Sequence, residues 1–254
     1  LIVEAHDMDK YSNKAISKGA SKIYLIAQEH GMDCRRLTWN PNYKGVDDWQ
    51  LALRRQERQS KIEESMNFKK RYLYGLCDMM DIGRCIEIWN GLAERNVSLV
   101  SYLGLTEDEY SSYLQNGPEE LKLLLNAQRQ QRCFRIYQLN FDTEPTIPFA
   151  FMGLEAVYKA GFQQPPAAKY RMVCESSIYA PLEQTDGEIL DRIYTKYNTP
   201  MEDFQGRCLA ASDVIELYDE QQRLYFYREP DAYTPVRFSP AFAKPMLERQ
   251  DMNE

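Results

Sequence analysis

Two aspartates separated by a single methionine, Asp7 and Asp9, follow the apolar run LIVEA at the head of this 254-residue chain. A strand that ends in Asp-x-Asp can turn both carboxylates toward one cation at its carboxyl end, where open α/β sheets gather their ligands. Magnesium takes one or two carboxylates and completes its shell with water and substrate phosphate, so the pair suits phosphodiester chemistry. The same residues also suit the start of a loop and the cap of a helix beginning near Ser12, and the dipeptide spacing alone does not separate the two roles. A second set of polar residues lies in WNPNYKGVDDWQLAL, where Lys44, Asp47 and Asp48 follow a second strand and precede an amphipathic helix.

The elements that must position these groups read as strand, helix, strand over residues 1–50. LIVEA is apolar enough for a buried strand, Ile16, Ala20, Ile23, Tyr24 and Ala27 share one helical face, and Gly31 stops that helix before the strand CRRLTW. The charged stretch over 51–64 reads as a connecting helix, 65–130 as a domain of several helices, 131–245 as an α+β domain, and 246–254 as a polar tail. The expected fold class is therefore multi-part, with a partial βαβ unit, a helical middle and a C-terminal α+β domain.

The order strand, DMDK, helix, strand, Trp, KG-x-DD resembles the C-terminal half of a Toprim-type domain of the kind found in primase-like proteins of plasmids, phages and conjugative elements. That resemblance implies Mg²⁺ as cofactor, Asp7 and Asp9 as the metal pair, and Lys44, Asp47 and Asp48 as the closing loop. The family also places a glutamate after an earlier strand. Glu4 does not match it, so the resemblance implies either that this chain is a piece of a longer parent protein, with any Mg²⁺-dependent phosphoryl transfer and any nucleic-acid contact residing there, or that the catalytic half has been lost.

In the middle region, SLVSYLGLTEDEYSSYL has the spacing of a helix-turn-helix, with Leu99, Leu103, Tyr110, Tyr113 and Leu114 facing inward. Its second helix opens with Glu107, Asp108 and Glu109, and carboxylates at that position repel phosphates. A helical packing or protein-binding module fits better than a DNA reader. Lys69, Lys70 and Arg71 form a small basic cluster that reads as a solvated helix end.

The last third contains a strand FRIYQLNF, a helix GEILDRIYTKYN, and a hairpin of DVIELYD with RLYFYRE. The run P-x-x-D-F-x-G-R-C-L-x-x-S-D-V, carried by Pro200, Asp203, Phe204, Gly206, Leu209, Ser212, Asp213 and Val214, resembles the YodL-like domain of proteins on Firmicutes conjugative elements. Physically these residues read as structural: a turn glycine, core side chains, and hydroxyl and carboxylate oxygens that accept from backbone amides. Tyrosines are frequent here, and Tyr225, Tyr227 and Tyr233 suggest a partner-binding patch, since tyrosine joins a large apolar body to a polar tip.

Composition narrows the remaining classes. A net charge of −7 argues against coating of nucleic acid by bulk electrostatics. No apolar run is long enough for a membrane span, and the expected compartment is the cytoplasm. The six cysteines lack a CxxC pair and, with two histidines, form no zinc pattern, so they are expected to be reduced and mostly buried. The sequence thus suggests a mobile-element DNA-processing protein with an accessory C-terminal binding domain, not catalytic by itself. The alternative is a non-enzymatic adaptor that binds a host protein through its helical and YodL-like parts.

Overall fold

The computed structural model describes residues 2–4, 14–36, 46–142, 146–199 and 204–247. The chain divides into two compact units, Leu1–Gln59 with Thr195–Leu209, and Ser60–Tyr194 with Ala210–Glu254.

In the first unit, β1 (Ile2–Glu4) pairs in parallel with β2 (Cys34–Arg36), and α1 (Lys14–Glu29) lies between them in sequence. The β-α-β order expected from periodicity is present. Gly31 ends the helix at φ 63°, a left-handed conformation that glycine adopts without a Cβ clash, while Met32 N donates to Ala27 O at 2.8 Å. Next comes α2 (Val46–Ser65), whose Ala52 packs with Val46, Trp49 and Cys208. Asp47 and Asp48, expected in a loop, stand instead in the first turn of α2.

The second unit opens with five helices: α3 (Phe68–Leu73), α4 (Asp81–Asn90), α5 (Leu99–Leu103), α6 (Glu107–Asn116) and α7 (Pro118–Asn126). Their shared core holds Phe68, Tyr72, Met79, Ile82, Leu103, Leu121 and Leu125. The sequence FKKRYLYGLCDMM does not run as one helix, because Gly75 turns left-handed at φ 69° directly after α3. Gly104 at φ 74° makes the turn between α5 and α6, and Thr106 with Glu109 closes a reciprocal capping box on α6. Leu114 departs from the expected inner face and is 65% exposed.

A five-stranded antiparallel sheet follows, in the order β4-β3-β5-β6-β7. The strands are β3 (Arg129–Leu139), β4 (Tyr170–Pro181), β5 (Val214–Tyr218), β6 (Arg223–Arg228) and β7 (Tyr233–Val236). On one face Tyr137, Val214 and Tyr227 join Leu154 and Val157 of α8 (Leu154–Lys159), with Phe149, Tyr170 and Phe238, in an apolar core. The other face meets α9 (Asp186–Tyr197), where the Tyr233 hydroxyl donates to Leu190 O at 3.1 Å and Arg228 lies 4.3 Å from the Tyr194 ring centroid. The period of α9 buries Ile189, Leu190 and Ile193.

Candidate functional site

The apolar core covers only part of the first sheet face; the remainder carries charge. One transverse row crosses four strands, with Arg135 of β3 opposite both Glu175 of β4 and Glu216 of β5, and Glu216 opposite Tyr225 of β6. Antiparallel registry places such neighbours within side-chain reach.

Glu216 is wholly buried, and its carboxylate accepts from Tyr137 Oη at 2.8 Å, Arg223 Nη1 at 2.9 Å and Tyr225 Oη at 3.2 Å. Arg135 Nη1 adds a longer ion pair at 3.5 Å. A buried carboxylate persists only when donors and opposite charge replace its lost water, which this arrangement supplies. Burial raises the Tyr137 hydroxyl pKa, and the adjacent Glu216 charge pushes it the same way.

At the sheet edge, Glu175 Oε1 accepts from Arg135 Nε at 2.9 Å, Arg135 Nη2 at 2.6 Å and Tyr218 Oη at 2.7 Å. The Tyr218 hydroxyl first and Arg135 second hold the Glu175 carboxyl below the usual range, against partial desolvation. Tyr218 itself is pushed up to about 12 by burial and by its bond to Glu175. Both guanidiniums lie over the Tyr218 ring, Arg135 at 4.7 Å and Arg223 at 5.1 Å from its centroid. The result is a partly exposed surface of two arginines, Glu175 and an aromatic ring, set over the buried Glu216 and suited to recognition by charge and stacking.

The sequence motif lies elsewhere. Ser212 is fully buried at φ 77°, its Oγ accepts from Phe151 N at 3.1 Å, and its carbonyl accepts from Tyr170 Oη at 3.0 Å. Asp213, also fully buried, accepts from Ala210 N at 2.9 Å and from Gln138 Nε2 at 3.0 Å. Val214 opens β5 and belongs to the apolar core. Both polar residues thus bind backbone amides, as their types suggest, and neither of the chain's two histidines belongs to this unit. In the other unit Leu209 is fully buried, Phe204 meets Tyr197 edge to face at 5.0 Å, and Gly206 is half-buried.

Asp7, Asp9, Lys44, Pro200 and Asp203 lie outside the described residues. Among the described residues no group of three or more His, Cys, Asp or Glu is placed to hold a metal ion. No helix among them is long and apolar enough to cross a membrane. The six cysteines are free, with Cys174 and Cys208 buried and the other four half-buried, fewer in the interior than composition suggests.

The three tyrosines expected to form a patch do not do so. Tyr227 is fully buried and donates to Met152 O at 2.9 Å, Tyr225 reaches Glu216, and Tyr233 faces α9 on the other side of the sheet. Sequence reasoning passed over Arg135, Glu175, Glu216, Tyr218 and Arg223. The readable signal was Glu216, a carboxylate in the middle of the otherwise apolar VIELY.

Residues 133–238 match the model of the YodL-like domain family. The match begins within β3, ends at Phe238, and contains the charged row and the Ser212–Asp213 corner. No curated protein and no solved structure matches the chain.

Proposed function

We propose that this chain is part of a mobile-element DNA-processing protein, and that its YodL-like domain is an accessory module that recognises a protein partner rather than a catalytic centre. The observation that carries this reading is the use of Ser212 and Asp213. Their oxygens are consumed inside the fold by backbone amides and Gln138, whereas the exposed chemistry is the stacked, ion-paired surface of Arg135, Glu175, Tyr218 and Arg223. Such fixed arginine and aromatic groups favour binding, because little side-chain freedom is lost on contact.

The Toprim-like reading of residues 1–50 belongs to the same proposal. It is supported by the sequence pattern and by the parallel β1–β2 pair flanking α1. On this reading Asp7 and Asp9 bind Mg²⁺ in the parent protein, and calorimetry showing equal Mg²⁺ affinity for the parent and its Asp7→Asn variant refutes it.

The accessory role is tested by deleting residues 133–238 from the natural gene product. Mg²⁺-dependent nucleic-acid chemistry should persist while transfer of the element falls. Loss of the chemistry makes the domain catalytic, and unchanged transfer removes the accessory role.

A purely adaptor role is the second reading, favoured by the exposed apolar side chains Met80, Leu114 and Leu123 on the helical module.

A further inference from the structure

β4 is an edge strand, and its outer side is covered at both ends but not in the middle. At its start Met172 N donates to Lys244 O and Lys244 N donates to Tyr170 O, both at 2.9 Å, in a parallel bridge. Near its end the Arg192 guanidinium donates to Tyr179 O at 2.8 Å and to Tyr74 O at 3.2 Å. Between these two closures lie residues 173–178.

The hydrogen-bond alternation of an antiparallel pair fixes which backbone groups point outward. Leu182 N donates inward to Gln128 O, so the even-numbered residues from Cys174 to Ala180 face β3 and the odd-numbered ones face away. Tyr179 O, bound by Arg192, agrees with that parity. The N–H and C=O groups of Glu175 and Ser177 therefore point off the sheet, and no other backbone group among the described residues bonds them. Both side chains are exposed, on the face that carries the charged row.

We propose that this window of β4 takes an extended segment of a partner protein as a sixth strand, with a basic side chain set against Glu175. The inference rests on the reading of the domain as a recognition module and names the kind of partner. Three observations select the occupant. The edge already accepts a strand, since the Lys244 segment adds to Tyr170 and Met172 in the same manner. Glu175 uses only Oε1 for Arg135 and Tyr218, so Oε2 has no hydrogen-bond partner among the described residues and can receive a cation. The window is narrow and flanked by the Lys244 segment and by Tyr74, which suits a single extended segment of a partner rather than the full edge of a second sheet.

The test uses amide hydrogen exchange of the full chain, alone and with a short capped peptide of alternating valine and lysine. The Glu175 and Ser177 amides should exchange freely in the chain alone and slow at least about fivefold at millimolar peptide, the range expected of a short strand. A peptide with glutamate in place of lysine should bind about threefold more weakly, and Glu175→Gln should remove that preference. Slow exchange in the free chain, no slowing with the lysine peptide, or a concentration-dependent dimer protecting the same amides each overturns the site. If the edge fails while deletion of residues 133–238 still lowers transfer, only the edge is wrong. If deletion has no effect, the recognition role itself is wrong.

Discussion

The amide of Phe151 donates to the Oγ of Ser212 at 3.1 Å, and these are the only non-glycine residues among the described ones with left-handed backbone, at φ 61° and 77°. Two unfavourable conformations are thus joined by one hydrogen bond. The same turn is held by Tyr227 Oη on Met152 O and by Glu229 Oε2 accepting from Leu154 N. Backbone strain of this kind persists where surrounding contacts over-determine the conformation.

Ser212→Ala should destabilise the chain by about 0.5–1.5 kcal/mol, because it removes the hydroxyl oxygen that accepts from the Phe151 amide. Ser212→Gly loses the same bond but relieves the left-handed strain, and should be less harmful than alanine by about 1 kcal/mol. Urea midpoints of the two variants decide the matter. Equal midpoints would mean that the φ of Ser212 stores no strain.

The buried row makes Glu216 a sensitive position in the sheet. Glu216→Ala removes the acceptor of the buried Tyr137 hydroxyl and the carboxylate between Arg135, which keeps Glu175, and the half-exposed Arg223, and should cost about 3 kcal/mol. A double-mutant cycle with Arg135→Met should recover about 1–3 kcal/mol of that loss, since the two charges face each other. Additive losses would show that Arg135 belongs to Glu175 alone.

Glu109 gives the helical module a pH dependence. Burial opposes ionisation of its carboxyl, but donors from Lys69 at 2.7 Å, Gln128 at 2.8 Å and the Thr106 amide at 2.8 Å outweigh it, holding the pKa below the ordinary 4.5. A carboxyl depressed in the folded state contributes stability that is complete above the ordinary value and is lost as pH falls through the folded one. Thermal melts of wild type should therefore fall more between pH 6 and pH 3 than those of Glu109→Gln. Parallel melts would remove this residue from the acid transition.

Cys77 reports on the same module. Burial pushes its thiol up to about 11, and Cys85 is raised by the same cause. The thiolate is the reactive form, so both should alkylate slowly at pH 7.5. Phe68→Ala opens their core and should speed the labelling, as mapped by mass spectrometry. Fast labelling of the intact wild type contradicts the burial.

Alternation made β3, β5 and β6 legible, and helical period did the same for α9. β4 was not legible: its centre, Cys-Glu-Ser-Ser, lacks apolar alternation because one side of that strand faces solvent and the charged row. β7 was hidden by Pro235, which reads as a break but is tolerated at an edge. The charged row was illegible for a different reason. Arg135, Glu175 and Glu216 come from three strands far apart in sequence, and only registry brings them together. The role of Ser212 and Asp213 was readable, because short oxygen-bearing side chains at a strand start have few other uses.

The pairing of β3 with β5 sets a clock on synthesis. Arg135 leaves the ribosome about eighty residues before Glu216, an interval of about 4–16 s at ordinary elongation rates. During it β3 and β4 can pair with each other, but the other edge of β3, with the backbone groups of Cys133, Arg135 and Tyr137, has no strand to meet. The nascent chain therefore spends seconds with a sticky edge exposed, and cells that supply a holdase during translation should yield more of this protein than cells that supply one afterwards.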